Sequence, residues 1–220
     1  MENKFKADMQ RIASQLRNPT GEAGLEMADQ MHQSNILMTR HTIDSLKLRD
    51  SDRVLELGHG NAAHLAYLMG QAEEITYTGL EISETMQKAA KVKAEEFFQG
   101  RIHFELYDGL AIPFKAGSFD RVFTVNTIYF WSDPSQMAAE LHRVLAPNGT
   151  AAITFALRSF MEKLPFTAFG FTLYEKSDVL ELMEAAGFSI EKTEDHVDQV
   201  RSKAGEEVSR PFSIVLVRKR

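Results

Sequence analysis

Apolar and polar residues follow two alternating patterns along most of the chain. The apolar runs Val54–Leu57 and Ile75–Leu80 are each followed by a stretch in which apolar residues recur every three or four positions. Short apolar runs are typical of buried strands, whereas the wider spacing is typical of helices that pack by one face. The alternation predicts crossover units and a mostly parallel, doubly wound α/β sheet.

The same signals predict the rest of the sheet. Three later strands are predicted, at Ile102–Leu106, Phe119–Val125 and Ala151–Ala156. Asp133-Pro134 predicts the start of a helix, because an acid suits the cap position and proline suits the first turn. Ser83 is likewise expected to cap a helix that reaches about Phe98. Near the end of the chain a helix precedes two strands, and the polar segment His196–Pro211 between these strands is predicted to be an exposed loop.

Residues 1–50 precede the first strand and are predicted to be helical. Apolar residues from Phe5 to Leu16 recur at helical spacing, Asn18-Pro19-Thr20-Gly21 interrupts the pattern, and a second helical region covers Leu25–Leu46. This extension either packs on the core or caps a substrate pocket, and both interpretations stay open. We expect one domain over residues 1–220, with residues 53–220 as its core.

The segment from Val54 to Ala63 carries the main chemical signal. An apolar run that contains Glu56 is interrupted by Gly58 and Gly60, and a helical pattern follows. This order predicts a buried strand, a tight turn and a helix N-terminus, where glycine permits a positive φ or a close approach to a ligand. The unpaired N–H groups of a helix start favour a polar small molecule at this turn.

Two kinds of cofactor suit the turn. Gly58, Gly60 and Ala63 satisfy the dinucleotide pattern G-x-G-x-x-G/A, and Glu81 follows about twenty residues later, where a ribose-binding acid is expected. Glu56, however, lies at the mouth of the strand. Its charge would repel a pyrophosphate and would favour a ligand that carries an amino group or a positive charge.

At this point the sequence resembles the class I S-adenosylmethionine (SAM)-dependent methyltransferases, whose first motif is similar to E/D-x-G-x-G-x-G. Glu56, Gly58 and Gly60 match the motif, and Ala62 replaces its third glycine, where we expect it to begin a helix. The resemblance covers roughly Arg53 to Ala156. Three further segments resemble the subgroup that includes ubiquinone- and menaquinone-biosynthesis enzymes: Leu110–Phe114, Ser118–Val122 and Arg143–Gly149. The family implies a Rossmann-like sheet, mostly parallel, with an antiparallel C-terminal strand.

The resemblance also implies a cofactor site at the carboxyl ends of the strands. Glu56 is expected to neutralise the amino end of SAM, Glu81 to accept from the ribose hydroxyls, and Asp108 to accept from the adenine amino group. Ile82 and Leu110 would sandwich the adenine. Asn126 and Thr127 would lie beside the sulfonium. The expected cofactor-binding residues are Glu56, Gly58, Gly60, Glu81, Ile82, Asp108, Gly109, Leu110, Asn126 and Thr127.

Aromatic residues follow the fourth and fifth strands and suggest an acceptor pocket. An aromatic cluster either floors a pocket for an apolar or aromatic small molecule or packs the core, and both interpretations stay open. Pro165 and Gly170 lie in a segment with a weak helical pattern, and residues 157–176 are a candidate lid. The residues concerned are Tyr129, Phe130, Trp131, Phe160, Leu164, Phe166, Phe169 and Phe171.

No catalytic base is identified from the sequence. Methyl transfer needs no protein nucleophile, and a base helps only if the acceptor must lose a proton. None of the residues available has the spacing of a diagnostic pair. The candidates are Asn126, Tyr129 and Trp131 after the fourth strand and His32 and His41 in the N-terminal extension.

Composition limits the kinds of binding partner that we expect. The chain has 220 residues, a net charge of −6, no cysteine and no block of basic residues, which disfavours a nucleic-acid partner and excludes disulfides. No apolar run approaches the length of a membrane span, and the first residues lack the apolar segment of a signal peptide. We expect a cytoplasmic protein that holds no metal.

The leading hypothesis is therefore a SAM-dependent methyltransferase that acts on a small molecule at O, C or N. One alternative is a non-catalytic SAM-binding or partner-binding module, because fold does not determine function. Another is an NAD(P)-dependent oxidoreductase, although the chain shows no tyrosine–lysine pair at a useful spacing. Neither the acceptor nor the oligomeric state follows from the sequence.

Overall fold

The computed structural model describes residues 2–95, 100–201 and 207–220. Within these residues the strands are β1 (Arg53–Leu57), β2 (Thr76–Glu81), β3 (Ile102–Leu106), β4 (Phe119–Val125), β5 (Leu145–Ala156), β6 (Phe188–Arg201) and β7 (Glu207–Lys219). All seven form one sheet in the order β3-β2-β1-β4-β5-β7-β6, and β7 runs antiparallel to both its neighbours while the other pairs are parallel. The predicted Rossmann-like sheet with an antiparallel C-terminal strand is confirmed.

The α-helices of the described residues flank this sheet. They are α1 (Glu2–Arg17), α2 (Gly21–Leu46), α3 (Leu65–Met69), α4 (Glu84–Glu95), α5 (Pro134–Val144), α6 (Arg158–Met161) and α7 (Lys176–Ala185). Asp133 caps α5 as predicted, because its Oδ1 accepts the backbone N–H of Gln136 at 2.9 Å. Ser83 Oγ accepts the backbone N–H of Met86 at 3.1 Å at the start of α4. The expected end of that helix, Phe98, lies outside the described residues.

Both faces of the central strands β1, β2, β4 and β5 are buried, as expected for parallel strands covered by helices. Val122 and Phe123 are neighbours in β4, and both are buried, yet they belong to different apolar clusters because side chains alternate along a strand. One cluster includes α5 and α7, and the other includes α3 and the second half of α2. No helix in the described ranges is both long enough and apolar enough to cross a membrane.

Helix α2 crosses the carboxyl ends of the parallel strands. In its first half, Asp29 Oδ1 accepts from Asn61 Nδ2 of the loop after β1 at 2.8 Å. In its second half, Thr42 Oγ1 lies 2.7 Å from Thr154 Oγ1 of β5. The N-terminal extension therefore lies over the edge of the sheet where ligands of open α/β sheets bind.

The prediction of an exposed loop at His196–Pro211 is wrong over the residues that the structure describes. β6 and β7 form a long antiparallel hairpin, and their pairing continues as far as Arg201 opposite Glu207. In its outer part, the buried Arg210 donates to both carboxylate oxygens of the buried Asp198, at 3.0 and 2.7 Å. Asp198 and Arg210 are thus buried and paired, although Gln199, Glu207 and Ser209 of the same hairpin are exposed.

Two chain reversals also differ from expectation. Gly70 directly follows α3, where glycine often adopts the left-handed cap conformation, but it has a φ of −82° and keeps the right-handed helical conformation. β5 begins at Leu145, directly after α5, so the turn at Pro147-Asn148-Gly149 lies within a strand that was predicted to begin at Ala151.

Replacing Asp198 by alanine is expected to lower the free energy of unfolding by about 3–5 kcal/mol, because the Arg210 guanidinium would stay buried without its counter-ion. Urea unfolding followed by circular dichroism measures this change. Glu191→Ala is the matched control, since Glu191 pairs with Arg218 on the same hairpin but both side chains are partly exposed. That loss should not exceed about 1 kcal/mol. Equal losses in the two variants would contradict a structural role for the buried pair.

Candidate active site

A cavity of about 430 Å³ lies at the carboxyl ends of β1, β2 and β4. The sheet forms its floor, and α1 and α2 contribute Leu16, Met31, His32, Asn35 and Thr39 on the opposite side. All ten residues expected to bind the cofactor line this one cavity: Glu56, Gly58, Gly60, Glu81, Ile82, Asp108, Gly109, Leu110, Asn126 and Thr127.

The glycine loop after β1 brings backbone close to the cavity. Gly58 has a φ of +74°, and a Cβ added there would overlap the methyl group of Thr127. Gly60 has a φ of +55°, and the space beside it is open for 4 Å. Only glycine fits the first position without strain, and the second leaves room for a ligand against the main chain.

Ala62 departs from its expected role as the first residue of a helix. It has a φ of +51°, and α3 begins only at Leu65. Positive φ angles therefore alternate along the loop at Gly58, Gly60 and Ala62. An alanine in the left-handed region costs roughly 1–2 kcal/mol, so the replacement of the third glycine is a strained feature of the loop.

Glu81 is a buried carboxylate at the end of β2. Its Oε1 accepts the backbone N–H groups of Ile82 and Ser83, at 2.8 and 3.2 Å, and its Oε2 accepts that of Gly60 at 3.1 Å. Burial raises the pKa of Glu81, and the three N–H donors oppose this shift. Since a carboxylate offers about four acceptor positions, one position remains on Oε2 for a ligand hydroxyl.

Glu56 at the end of β1 is also buried, and its two oxygens have different surroundings. Oε2 accepts from His64 Nε2 at 2.8 Å and from the hydroxyl of Tyr77. Oε1 has no hydrogen-bond partner in the described ranges. Neither His64 nor Tyr77 was expected from the sequence, because their contact with Glu56 depends on the placement of α3 and β2.

His59, between the two glycines, is a buried neutral histidine. Its Nδ1 donates to the carbonyl of Gly60 at 2.8 Å, and its ring packs on Phe104 at a centroid distance of 4.7 Å. Its Nε2 has no partner among the described residues. Burial lowers the pKa of His59 to about 4, so the ring is uncharged at neutral pH.

Asp108 follows β3 and shapes the loop beyond it. Its Oδ1 accepts the backbone N–H groups of Leu110 and Ala111 at 2.8 and 3.1 Å, and these donors lower the pKa of Asp108. Its Oδ2 makes no hydrogen bond to the described part of the chain. Gly109 has a φ of +79°, and a Cβ there would lie 3.5 Å from Ile82, so the loop packs beside that apolar side chain.

The residues considered as catalytic bases differ in whether they line the cavity. Tyr129 is buried, its hydroxyl is bound to the backbone of Ala156, and it does not line the cavity. His41 is exposed and stacks on His196 outside the cavity, with centroids 4.4 Å apart. His32 lines the cavity, and burial together with the neighbouring His64 lowers its pKa.

Two aromatic residues after β4, Phe130 and Trp131, line the cavity. Phe171 packs behind Phe130 with centroids 4.6 Å apart, and Phe166 packs on Phe171 at 5.8 Å. Residues 165–168 also contact α1. The aromatic residues of the candidate lid thus lie behind the cavity wall, and Phe160, Leu164 and Phe169 do not line the cavity.

Comparison with known proteins finds that the sequence is similar to methyltransferases. Residues 55–153 match the family described as a methyltransferase domain. Methyltransferase GfsG of Streptomyces halstedii is 25% identical over 90% of this chain and 70% of its own length. The 27-O-demethylrifamycin SV methyltransferase of Amycolatopsis mediterranei is 29% identical over 56% of this chain, which spans under half (45%) of that relative.

A solved complex contains a protein of the same fold. It pairs the Haloferax volcanii Trm112 methyltransferase activator with a methyltransferase, and the TM-score to this chain is 0.71 at 18% identity. The alignment covers 86% of this chain and 92% of that one. At this identity the likeness concerns the fold alone.

The free energy of unfolding is expected to fall as the pH drops from about 6.5 to about 4, partly because of His59. Its pKa lies near 4 in the folded protein and near 6.5 in the unfolded chain. The unfolded state therefore binds more protons in this window, and the folded state loses up to about 3 kcal/mol relative to it. Urea unfolding at several pH values measures the slope.

The variant His59→Gln removes this titration and should give a shallower slope than the wild-type protein. His103→Gln, at an exposed position on β3, is the control and should retain the wild-type slope. Identical slopes in His59→Gln and the wild-type protein would contradict the assignment.

Proposed function

We propose that this chain, which belongs to the class I SAM-dependent methyltransferases, transfers a methyl group to an oxygen atom of a small-molecule acceptor. The family match covers β1 to β4 and most of β5, the part of the fold that carries the glycine loop and the three strand-end acids. Family membership decides between the two cofactors that the glycine motif left open, in favour of SAM. The observation that carries the proposal is that the acids, the loop and the polar end of β4 line one cavity.

The residues of the cavity fit the chemical groups of SAM. Glu81 Oε2 has one acceptor position left for a ribose hydroxyl. Glu56 Oε1 accepts no hydrogen bond from the described residues and can accept from the amino group of SAM. Ile82 and Leu110 supply apolar surface for the adenine. The open space beside Gly60 admits a ligand against the backbone. These features support the proposed cofactor-binding set.

When bound, SAM supplies a methyl group carried on a positively charged sulfur. This chain would then bind SAM and the acceptor, orient them and exclude water from the cavity. Asn126 and Thr127 would lie beside the reacting methyl group, and α1 and α2 would exclude water above it. Positioning of two reactants can contribute several kcal/mol to the lowering of a barrier, up to about 7–11 kcal/mol in well-oriented systems.

Two observations support a small acceptor that reacts at oxygen. Phe130 and Trp131 offer aromatic surface beside the polar end of β4. The rifamycin relative is named for an O-methylation, although this chain spans less than half of it. We also propose that residues 1–50 cap the cavity and that residues 157–176 support that cap, because residues 165–168 contact α1.

Glu81→Ala is expected to weaken SAM binding by about 1–3 kcal/mol, the scale of hydrogen bonds to a charged acceptor. Calorimetric titration with SAM and S-adenosylhomocysteine measures the change, and NADH is titrated in parallel. Glu84→Ala, three residues further on in α4, removes an exposed carboxylate that does not line the cavity and should leave the affinity unchanged.

An unchanged affinity in Glu81→Ala would overturn the assigned site. Binding of NADH instead of SAM would overturn the proposed function itself.

A further inference from the structure

The side-chain amide of Asn35 has a defined orientation. Asn35 lies on α2 and lines the cavity. Its Oδ1 accepts from Arg210 Nη1 at 2.7 Å, and Arg210 Nη2 donates to the carbonyl of Ser34 at 2.7 Å. Because arginine can only donate, the oxygen of the amide must face Arg210. The Nδ2 group of Asn35 has no hydrogen-bond partner in the described part of the chain and remains available as a donor.

Asn126 at the end of β4 has the same arrangement. Its Oδ1 accepts the backbone N–H of Ala156 at 3.3 Å and lies 3.0 Å from the hydroxyl of Tyr129, whose single proton is shared with the carbonyl of Ala156 at the same distance. Its Nδ2 makes a long contact of 3.5 Å with Met38 Sδ, which can only accept. The oxygen is thus used within the protein, and at least one N–H of this amide has no strong acceptor among the described residues.

The two amides lie on neighbouring parts of the cavity wall. Met38, whose sulfur contacts Asn126, lies one helical turn after Asn35 on α2. The carboxylates that line the cavity belong to the other side, at the ends of β1, β2 and β3. The positive charge of Arg210 is paired with Asp198 and does not attract a ligand by itself. The end of the cavity beside β4 therefore presents N–H donors without a facing carboxylate.

We propose that Asn35 and Asn126 form a binding subsite for an oxygen atom of the methyl acceptor, and that this oxygen is a deprotonated hydroxyl of a phenol or an enol. This inference rests on the proposed function. Amide N–H groups stabilise an anionic oxygen in a site that excludes water. Phe130 and Trp131 on the same wall suit the planar, conjugated body that makes such a hydroxyl acidic. An acceptor that enters as the anion needs no protein base.

The variant Asn35→Asp tests the subsite. Aspartate keeps the shape of the side chain and still accepts from Arg210, so the fold is retained, but it replaces the N–H donors with a carboxylate oxygen. The probe is 7-hydroxycoumarin in mildly alkaline buffer, where its hydroxyl is ionised, with S-adenosylhomocysteine at saturation. Trp131 is the only tryptophan of the chain and lines the cavity, so quenching of its fluorescence by energy transfer measures binding without turnover.

We expect Asn35→Asp to bind 7-hydroxycoumarin at least tenfold more weakly than the wild-type protein. The neutral 7-aminocoumarin should lose no affinity. Gln33→Glu is the matched control, because it makes the same charge change at an exposed position of α2 outside the cavity. It should retain the wild-type affinity for both probes.

Three results would overturn the inference while the proposed function stands. The first is unchanged binding of 7-hydroxycoumarin in Asn35→Asp, and the second is absence of its binding to the wild-type protein. The third is an equal loss of S-adenosylhomocysteine affinity in Asn35→Asp, which would assign the amide to the cofactor. Failure of the proposed function is distinguished from failure of this subsite by calorimetry, because the wild-type protein would then bind no S-adenosylhomocysteine.

Discussion

The buried carboxylate of Glu81 joins the segments that shape the cavity. It accepts backbone N–H groups from Gly60 in the glycine loop and from Ile82 and Ser83 before α4. Burial of a charge without hydrogen bonds is costly, and these three donors offset that cost. The conformation of the loop therefore depends on an acid that the sequence places twenty-one residues away. The same acid supplies a ligand-binding position, so loop geometry and ligand recognition are coupled.

The two sides of the cavity have different origins and opposite hydrogen-bonding character. The ends of β1, β2 and β3 supply acceptors, namely the carboxylates of Glu56, Glu81 and Asp108. The side formed by α2 and the end of β4 supplies N–H donors from Asn35 and Asn126. The donors are oriented by partners outside the cavity, Arg210 for Asn35 and the backbone N–H of Ala156 for Asn126. This division suits a ligand pair in which one member carries hydroxyls and a positive charge and the other carries an electron-rich oxygen.

Sequence patterns predict the sheet and the location of the site but not the contacts that orient it. β3 and β4 have the predicted bounds because glycine and proline breaks flank short apolar runs. The ten expected residues meet because the carboxyl ends of parallel strands share one edge. The contacts of Glu56 with His64 and Tyr77 have no spacing signal, since they depend on how α3 packs. The outer hairpin was missed because the partners of its polar residues, such as Asn35, lie far away in the chain.

The contact between Asn35 and Arg210 joins residues 175 positions apart. β7, which carries Arg210, lies between β5 and β6 although it follows both in the chain. β6 cannot join the sheet until β7 is in place, and the amide of Asn35 has no Arg210 to orient it before that step. The donor side of the cavity is therefore complete only when β7 is paired with β5, whereas the backbone contacts of Glu81 lie within residues 60–83.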